Sequence, residues 1–266
     1  MASVYDPESV TCSRIYHTVA RTISNVLFSL KRFRVKGIEN CIETGPNIIV
    51  GNHPTESIED VCALIKVYGR KIFFVVNENL LTEEGFDYEI RHSLGKNIGK
   101  NKVEALLRVF SGLCHKVFEY SCTLPGRIGS IPVNIYGRGL NGTSFKRIKN
   151  YLLRGFPVVF LQTNGGQHRP NEQEPDVKEV TRVMEGAALV AAYMYERHGI
   201  NVPITPVGLK GTSVWSRIKP VQVNIGRPVY YGGFDDKSDK RSTRIRKLTD
   251  FLERTLIGLY NGSKKT

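Results

Sequence analysis

The chain has 266 residues, of which 41% are hydrophobic and 24% charged, an ordinary globular balance that can fill one large core and argues against a disordered or fibrous protein. Its formal net charge of +13 is unusual and favours anionic partners, whether phospholipid head groups, nucleic acid or phosphorylated substrates, without choosing among them. The five cysteines, Cys12, Cys41, Cys62, Cys114 and Cys122, are scattered and form no Cys-x-x-Cys pair, which argues against a zinc site or a disulfide framework and for reduced thiols in a cytosolic compartment.

Residues 14–33 read as the first helix. Ile15, Val19, Ile23, Val26, Leu30 and Phe33 recur every three or four residues and share one helical face. Arg14, His17, Arg21, Lys31, Arg32 and Arg34 surround that face with positive charge. Such an amphipathic helix can lie in a membrane interface, or can pack its stripe on the protein's own core. No apolar run approaches the length that spans a bilayer. The first residues, with Asp6 and Glu8, lack the basic-then-apolar layout of a signal peptide. A soluble or surface-bound protein is expected.

After this helix the pattern alternates. β-rich runs are expected at 33–36, 47–51, 71–76, 128–135, 157–162, 202–209 and 221–226. Helical patterns fall at 60–68, 102–120, 143–153 and 177–198, and a last one at 240–260 carries Ile245, Leu248, Leu252, Leu256 and Leu259 on one face. This predicts an α/β fold, a mixed and largely parallel sheet flanked by helices. No repeat, low-complexity tract or linker divides the chain, so residues 1–266 read as one domain. Residues 77–102 and 163–176 are polar, Gly-containing segments that fit neither pattern.

Ligands of such sheets bind outside the carboxyl ends of the strands. Residues 47–60 place a histidine there. Asn47-Ile48-Ile49-Val50 is of strand type, Gly51-Asn52-His53-Pro54 ends it, and Glu59 and Asp60 open the next helical pattern. A histidine titrates near neutral pH, and a nearby carboxylate can fix its tautomer and raise its basicity. His53 with Glu59 or Asp60 is therefore a candidate proton-transfer pair. Adjacent helical side chains point about 100° apart, so only one of the two carboxylates can face His53. Counting backward from the next strand favours Asp60. His17, His92, His115 and His198 have no partner at a revealing spacing.

Three further strand ends complete a pattern. They are Gly129-Ser130-Ile131-Pro132-Val133, Phe160-Leu161-Gln162-Thr163-Asn164-Gly165-Gly166, and Val202-Pro203-Ile204-Thr205-Pro206-Val207-Gly208. In order and spacing, these blocks and Asn52-His53 resemble the glycerolipid acyltransferase family, the lysophosphatidic acid acyltransferases and their relatives. Arg34-Val35-Lys36-Gly37-Ile38-Glu39-Asn40, Gly186-Ala187-Ala188 and Gly226-Arg227-Pro228 fit the same frame, and the resemblance covers residues 14–230.

The resemblance implies direct acyl transfer from acyl-CoA or acyl-carrier protein to a hydroxyl of a lysophospholipid or glycerol phosphate, with no metal, cofactor or covalent acyl-enzyme. His53 is the implied general base, and cationic groups near the second and third blocks hold the acceptor's phosphate. Asn52, Arg138, Gln162, Arg169 and Lys210 are the candidate substrate-binding residues. The implied location is cytoplasmic, on the inner face of a membrane, with the phospholipid surface, the acyl donor and the acceptor as partners.

The chain departs from the family at several positions. The family's usual carboxylate position falls on Ile58, the second block's arginine on Ile135, and the third block's glutamate on Gln162. Gln162 is neutral and both donates and accepts hydrogen bonds. These departures keep a second reading in view, an acyltransferase-fold phospholipid-binding protein with weak or no catalysis. Nucleic-acid binding driven by charge is a third, without zinc-finger spacing or an aromatic RNA-binding signature to support it.

Overall fold

The computed structural model describes residues 16, 21–29, 32–53, 58–77, 130–133, 140–163, 183–211, 220–236 and 238–261. In chain order the helix α1 (Arg21–Ser29) leads into strands β1 (Phe33–Lys36) and β2 (Asn47–His53), followed by α2 (Ile58–Val67), β3 (Phe73–Asn77) and β4 (Ile131–Val133). Next come α3 (Gly142–Leu153), β5 (Pro157–Thr163), α4 (Gly186–His198), β6 (Pro203–Lys210), β7 (Val221–Ile225) and β8 (Val229–Tyr230), and α5 (Arg241–Asn261) closes the series.

Among the described residues these strands form one sheet in the order β1-β7-β6-β2-β5-β3-β4, with β8 beside β6. The strands β6, β2, β5, β3 and β4 run parallel, while β7 and β8 pair with β6 antiparallel. The mixed, largely parallel sheet is the architecture expected from the sequence. β2 lies at its centre, buried from Asn47 through Asn52, as a near-continuous apolar run in a parallel sheet must be.

Side-chain alternation divides the core. Ile48, Val50, Phe73, Val158, Phe160 and Ile204 face one way and pack against α3, α4 and α5. Ile49, Phe74, Val159, Val207 and Leu209 face the other way, toward α1 and α2. Each fully buried Ile or Leu in these layers contributes about 1.5–3 kcal/mol of transfer free energy.

Boundaries differ from the expectation where local chemistry intervenes. The expected first helix covers 14–33, but the structure ends α1 at Ser29 and gives Phe33 to β1. Among the described side chains of this region Tyr16, Ser24 and Phe28 are buried; the stripe expected through Ile15, Val19, Ile23, Val26 and Leu30 lies outside the described side chains. The fully buried Tyr16 hydroxyl donates to the Arg70 carbonyl and accepts from Ile72 N, both at 3.4 Å, and burial pushes its pKa up to about 12. α3 begins where expected because Asn141 caps it, its Oδ1 accepting from Ser144 N at 2.8 Å. α4 begins at Gly186, and the N–H of Val183 ahead of it donates to Glu253 of α5 at 2.8 Å. The two-residue β8 was not anticipated: Val229-Tyr230 is too short to show a period. The expected helix at 102–120 lies outside the described residues.

Candidate active site

The site is built on the last three residues of β2. Gly51 sits where a Cβ would lie 3.1 Å from Leu161 Cδ2 and 3.3 Å from the Val207 carbonyl oxygen, so a glycine lets β5 and β6 close around the strand's end. Asn52 is fully buried. Its Nδ2 donates to the Leu209 carbonyl at 2.9 Å, and its Oδ1 accepts from Leu209 N at 2.6 Å. The β2–β6 register runs from Ile48↔Ile204 to Gly51↔Val207, and the Asn52 amide extends the pairing beyond it. Both ends of the side chain are thus spent on β6. Asn52 therefore holds the strand that carries His53 against β6.

His53 follows, and its side chain is 18% exposed. Its Nδ1 lies 2.5 Å from Asp60 Oδ2. Asp60 is fully buried in the first turn of α2, where the helix dipole favours a carboxylate. A carboxylate oxygen only accepts, so Nδ1 carries the proton, and in the neutral ring Nε2 is left as the acceptor. Asp60 Oδ1 makes no hydrogen bond among the described residues. Glu59, its neighbour on α2, is also buried, and it is Asp60 that His53 hydrogen-bonds. Charge-assisted pairs of this length are among the stronger hydrogen bonds, and burial of the carboxylate strengthens them further.

The other blocks gather at the same edge. In the β2–β5 register Asn52 stands opposite Gln162 and His53 opposite Thr163. β4, with Ile131-Pro132-Val133, ends two strands beyond β5. The structure describes the backbone of Gln162. Arg138 and Arg169 lie outside the described residues. Lys210, at the end of β6, is exposed, with Nζ 5.7 Å from the centroid of the Tyr260 ring on α5. That is the α5 side of the sheet, whereas His53 turns toward α2, so the structure does not bring Lys210 to His53.

Among the described residues no group of three or more His, Cys, Asp or Glu side chains could hold a metal ion, and no helix is long and apolar enough to cross a membrane. A cleft of about 670 Å³, lined by Glu185, Leu189, Arg241 and Arg246, lies between α4 and α5 on the face away from His53. It therefore does not belong to this site.

Sequence reasoning missed two features. A buried amide must find partners, so an asparagine closing an apolar strand was itself the signal for the Asn52 clamp. The second is a polar network at the foot of α4 and α5. Tyr231 Oη donates to Glu196 Oε1 at 2.9 Å, Arg241 Nε donates to Oε2 at 2.7 Å, and Arg244 bridges Glu196 and Asp235. Nothing in local spacing marks it, because its members come from distant parts of the chain.

No protein-family model matches this chain, and no curated protein does. Among solved structures it is similar to the 1-acyl-sn-glycerophosphate (LPA) acyltransferase PlsC from Thermotoga maritima. That likeness has 14% sequence identity and a TM-score of 0.50, over 92% of this chain and 79% of that one. At this identity the likeness establishes architecture alone: the chain has an acyltransferase-like α/β fold.

Proposed function

We propose that the protein is an O-acyltransferase that moves a fatty acyl group from acyl-CoA or acyl-carrier protein to a hydroxyl of a lysophospholipid or glycerol phosphate. The observation that carries this reading is the His53–Asp60 hydrogen bond of 2.5 Å at the carboxyl end of the central strand. Nε2 of His53 takes the proton of the acceptor hydroxyl as its oxygen attacks the thioester carbonyl. The buried Asp60 carboxylate orients the ring and stabilises the imidazolium that forms. When the tetrahedral intermediate collapses, the C–S bond breaks and the imidazolium returns the proton to the departing thiolate. The new ester and free thiol leave, and no acyl-enzyme forms.

The acceptor's phosphate is assigned to cations that follow the second and third blocks, Arg138 and Arg169. Gln162 hydrogen-bonds the acceptor in place of the family's glutamate. The protein works at the inner face of a membrane, where its net charge of +13 favours an anionic leaflet. The test is mass spectrometry of lipids formed by purified protein from labelled acyl-CoA or acyl-carrier protein and a panel of acceptors. A labelled diacyl product is expected. Vesicle binding without any ester product would instead support the second reading, a non-catalytic lipid-binding protein, which Gln162 in place of glutamate favours.

A further inference from the structure

We propose that the exposed face of the edge strand β1 docks the protein on an anionic phospholipid bilayer through Arg32, Arg34 and Lys36. This rests on the reading of the protein as one that works at a lipid surface, and it assigns the surface. β1 alternates: Phe33 and Val35 pack with the α1 and α2 layer, which turns Arg34 and Lys36 to the opposite face, where both are exposed. Arg32, just before the strand, is exposed as well and is tied to β7 through its carbonyl, which accepts from Val221 N at 2.8 Å.

The register carries the charge across the sheet. Arg34 stands opposite Gln222 of β7, and Gln222 stands opposite Lys210 of β6. Lys36 stands opposite Asn224, whose amide donates to the Leu259 carbonyl in the last turn of α5. α5 covers β6 and β7 and ends there. Among the described residues the Arg32, Arg34 and Lys36 side chains have no ion pair or hydrogen bond. Side chains two apart on a strand sit only about 7 Å from one another. A row of like charges at that spacing repels itself, and an anionic partner relieves it.

The geometry selects a bilayer. A flat row fits a planar array of head-group phosphates, and Ile38, 53% exposed just beyond the row, can enter the interface. Duplex readout needs an element that enters a groove, and single strands need exposed aromatics for stacking. Here Phe33 turns inward and Tyr260 lies beneath Lys210. Protection of a bare sheet edge also uses charge, but this positive face extends inward to β6. β1 runs parallel to β7, β7 antiparallel to β6, and β6 parallel to β2, so the Arg32 end of β1 lies at the carboxyl end of β2.

The test is co-sedimentation of the full chain with phosphatidylcholine vesicles, with and without phosphatidylglycerol, at physiological salt. It uses the triple variant Arg32→Glu, Arg34→Glu, Lys36→Glu, which keeps the edge charged. Lys146→Glu, Arg197→Glu, Arg254→Glu on the helices α3, α4 and α5 makes the same change in net charge elsewhere. Wild type and the helix variant are expected to bind the anionic vesicles, and the edge variant to bind about 100-fold more weakly. Equal losses in both variants, undiminished binding by the edge variant, or wild-type binding to duplex RNA but not to vesicles would overturn the assignment. Acyl transfer to a short-chain acceptor in free solution separates the two proposals. Its retention in the edge variant supports docking, and its loss there would make these residues part of the catalytic fold. A wild type that binds the vesicles but never transfers an acyl group, with binding lost in the edge variant, would sink the enzyme and leave the docking surface standing.

Discussion

Replacing Asn52 by leucine, nearly its equal in volume, tests how the end of β2 is held. The wild-type amide satisfies both backbone groups of Leu209, at 2.9 Å and 2.6 Å, inside a site closed to solvent. Leucine fills the space but leaves a buried N–H and a buried carbonyl without partners. Each unsatisfied group costs about 1–3 kcal/mol, so the variant should lose about 2–6 kcal/mol. For a chain of this size that loss lowers Tm by roughly 4–24 °C. Urea unfolding followed by circular dichroism should show a lower midpoint with an unchanged m-value. Asn52→Asp should be at least as damaging, because it keeps the acceptor, loses the donor and buries a charge. A loss below about 1 kcal/mol for Asn52→Leu, well under the cost of two orphaned groups, would refute the clamp. Normal stability with a raised KM would return Asn52 to the role of substrate ligand.

Three other outcomes follow from the same geometry. Gly208→Ala would set a Cβ 2.8 Å from the Leu259 backbone carbon and 2.9 Å from Tyr260 N, so the last turn of α5 must move; overpacking of this kind costs about 1–3 kcal/mol, measurable as a lower Tm. Burial raises the Glu196 carboxyl pKa, but hydrogen bonds from Arg241 and Tyr231 outweigh it and hold the pKa below the usual range. A depressed carboxyl stabilises the fold above its unfolded pKa, about 4.3, and that contribution is lost as pH falls through the lower folded value. The stability difference between wild type and Glu196→Gln should therefore be full at neutral pH and shrink below pH ~4 in urea titrations. Asp60→Asn should preserve the far-ultraviolet spectrum and lower acyl-transfer turnover by about 10²–10⁴-fold, since the amide can stabilise neither the tautomer nor the imidazolium.

The parallel layers were legible because their signals are local. The apolar run at Ile48-Ile49-Val50 and the stripe through Ile245, Leu248, Leu252 and Leu256 belong to elements whose own periods announce them. The His53 site was legible in part for the same reason, since a strand, a turn and a helix's first turn are adjacent in sequence. Which carboxylate meets His53 depends on helix phase, and that is set by the packing of Cys62, Ala63 and Leu64 on the sheet. Ser24 of α1 shows a further limit: it is fully buried, yet too polar to be read as a core residue. The Asn52 clamp, the Glu196 network and the basic row from Arg34 to Lys210 join residues distant in sequence, so only strand order and register reveal them.

In the proposed reaction His53 moves the proton of the acceptor hydroxyl. The most direct measurement is the rate of labelled diacyl product formed from acyl-CoA and lysophosphatidic acid by His53→Ala beside wild type, with both proteins matched in thermal unfolding. A fall in kcat of about 10²–10⁴-fold with little change in acceptor KM is expected. A His53→Ala protein that acylates the acceptor at the wild-type rate would contradict that role.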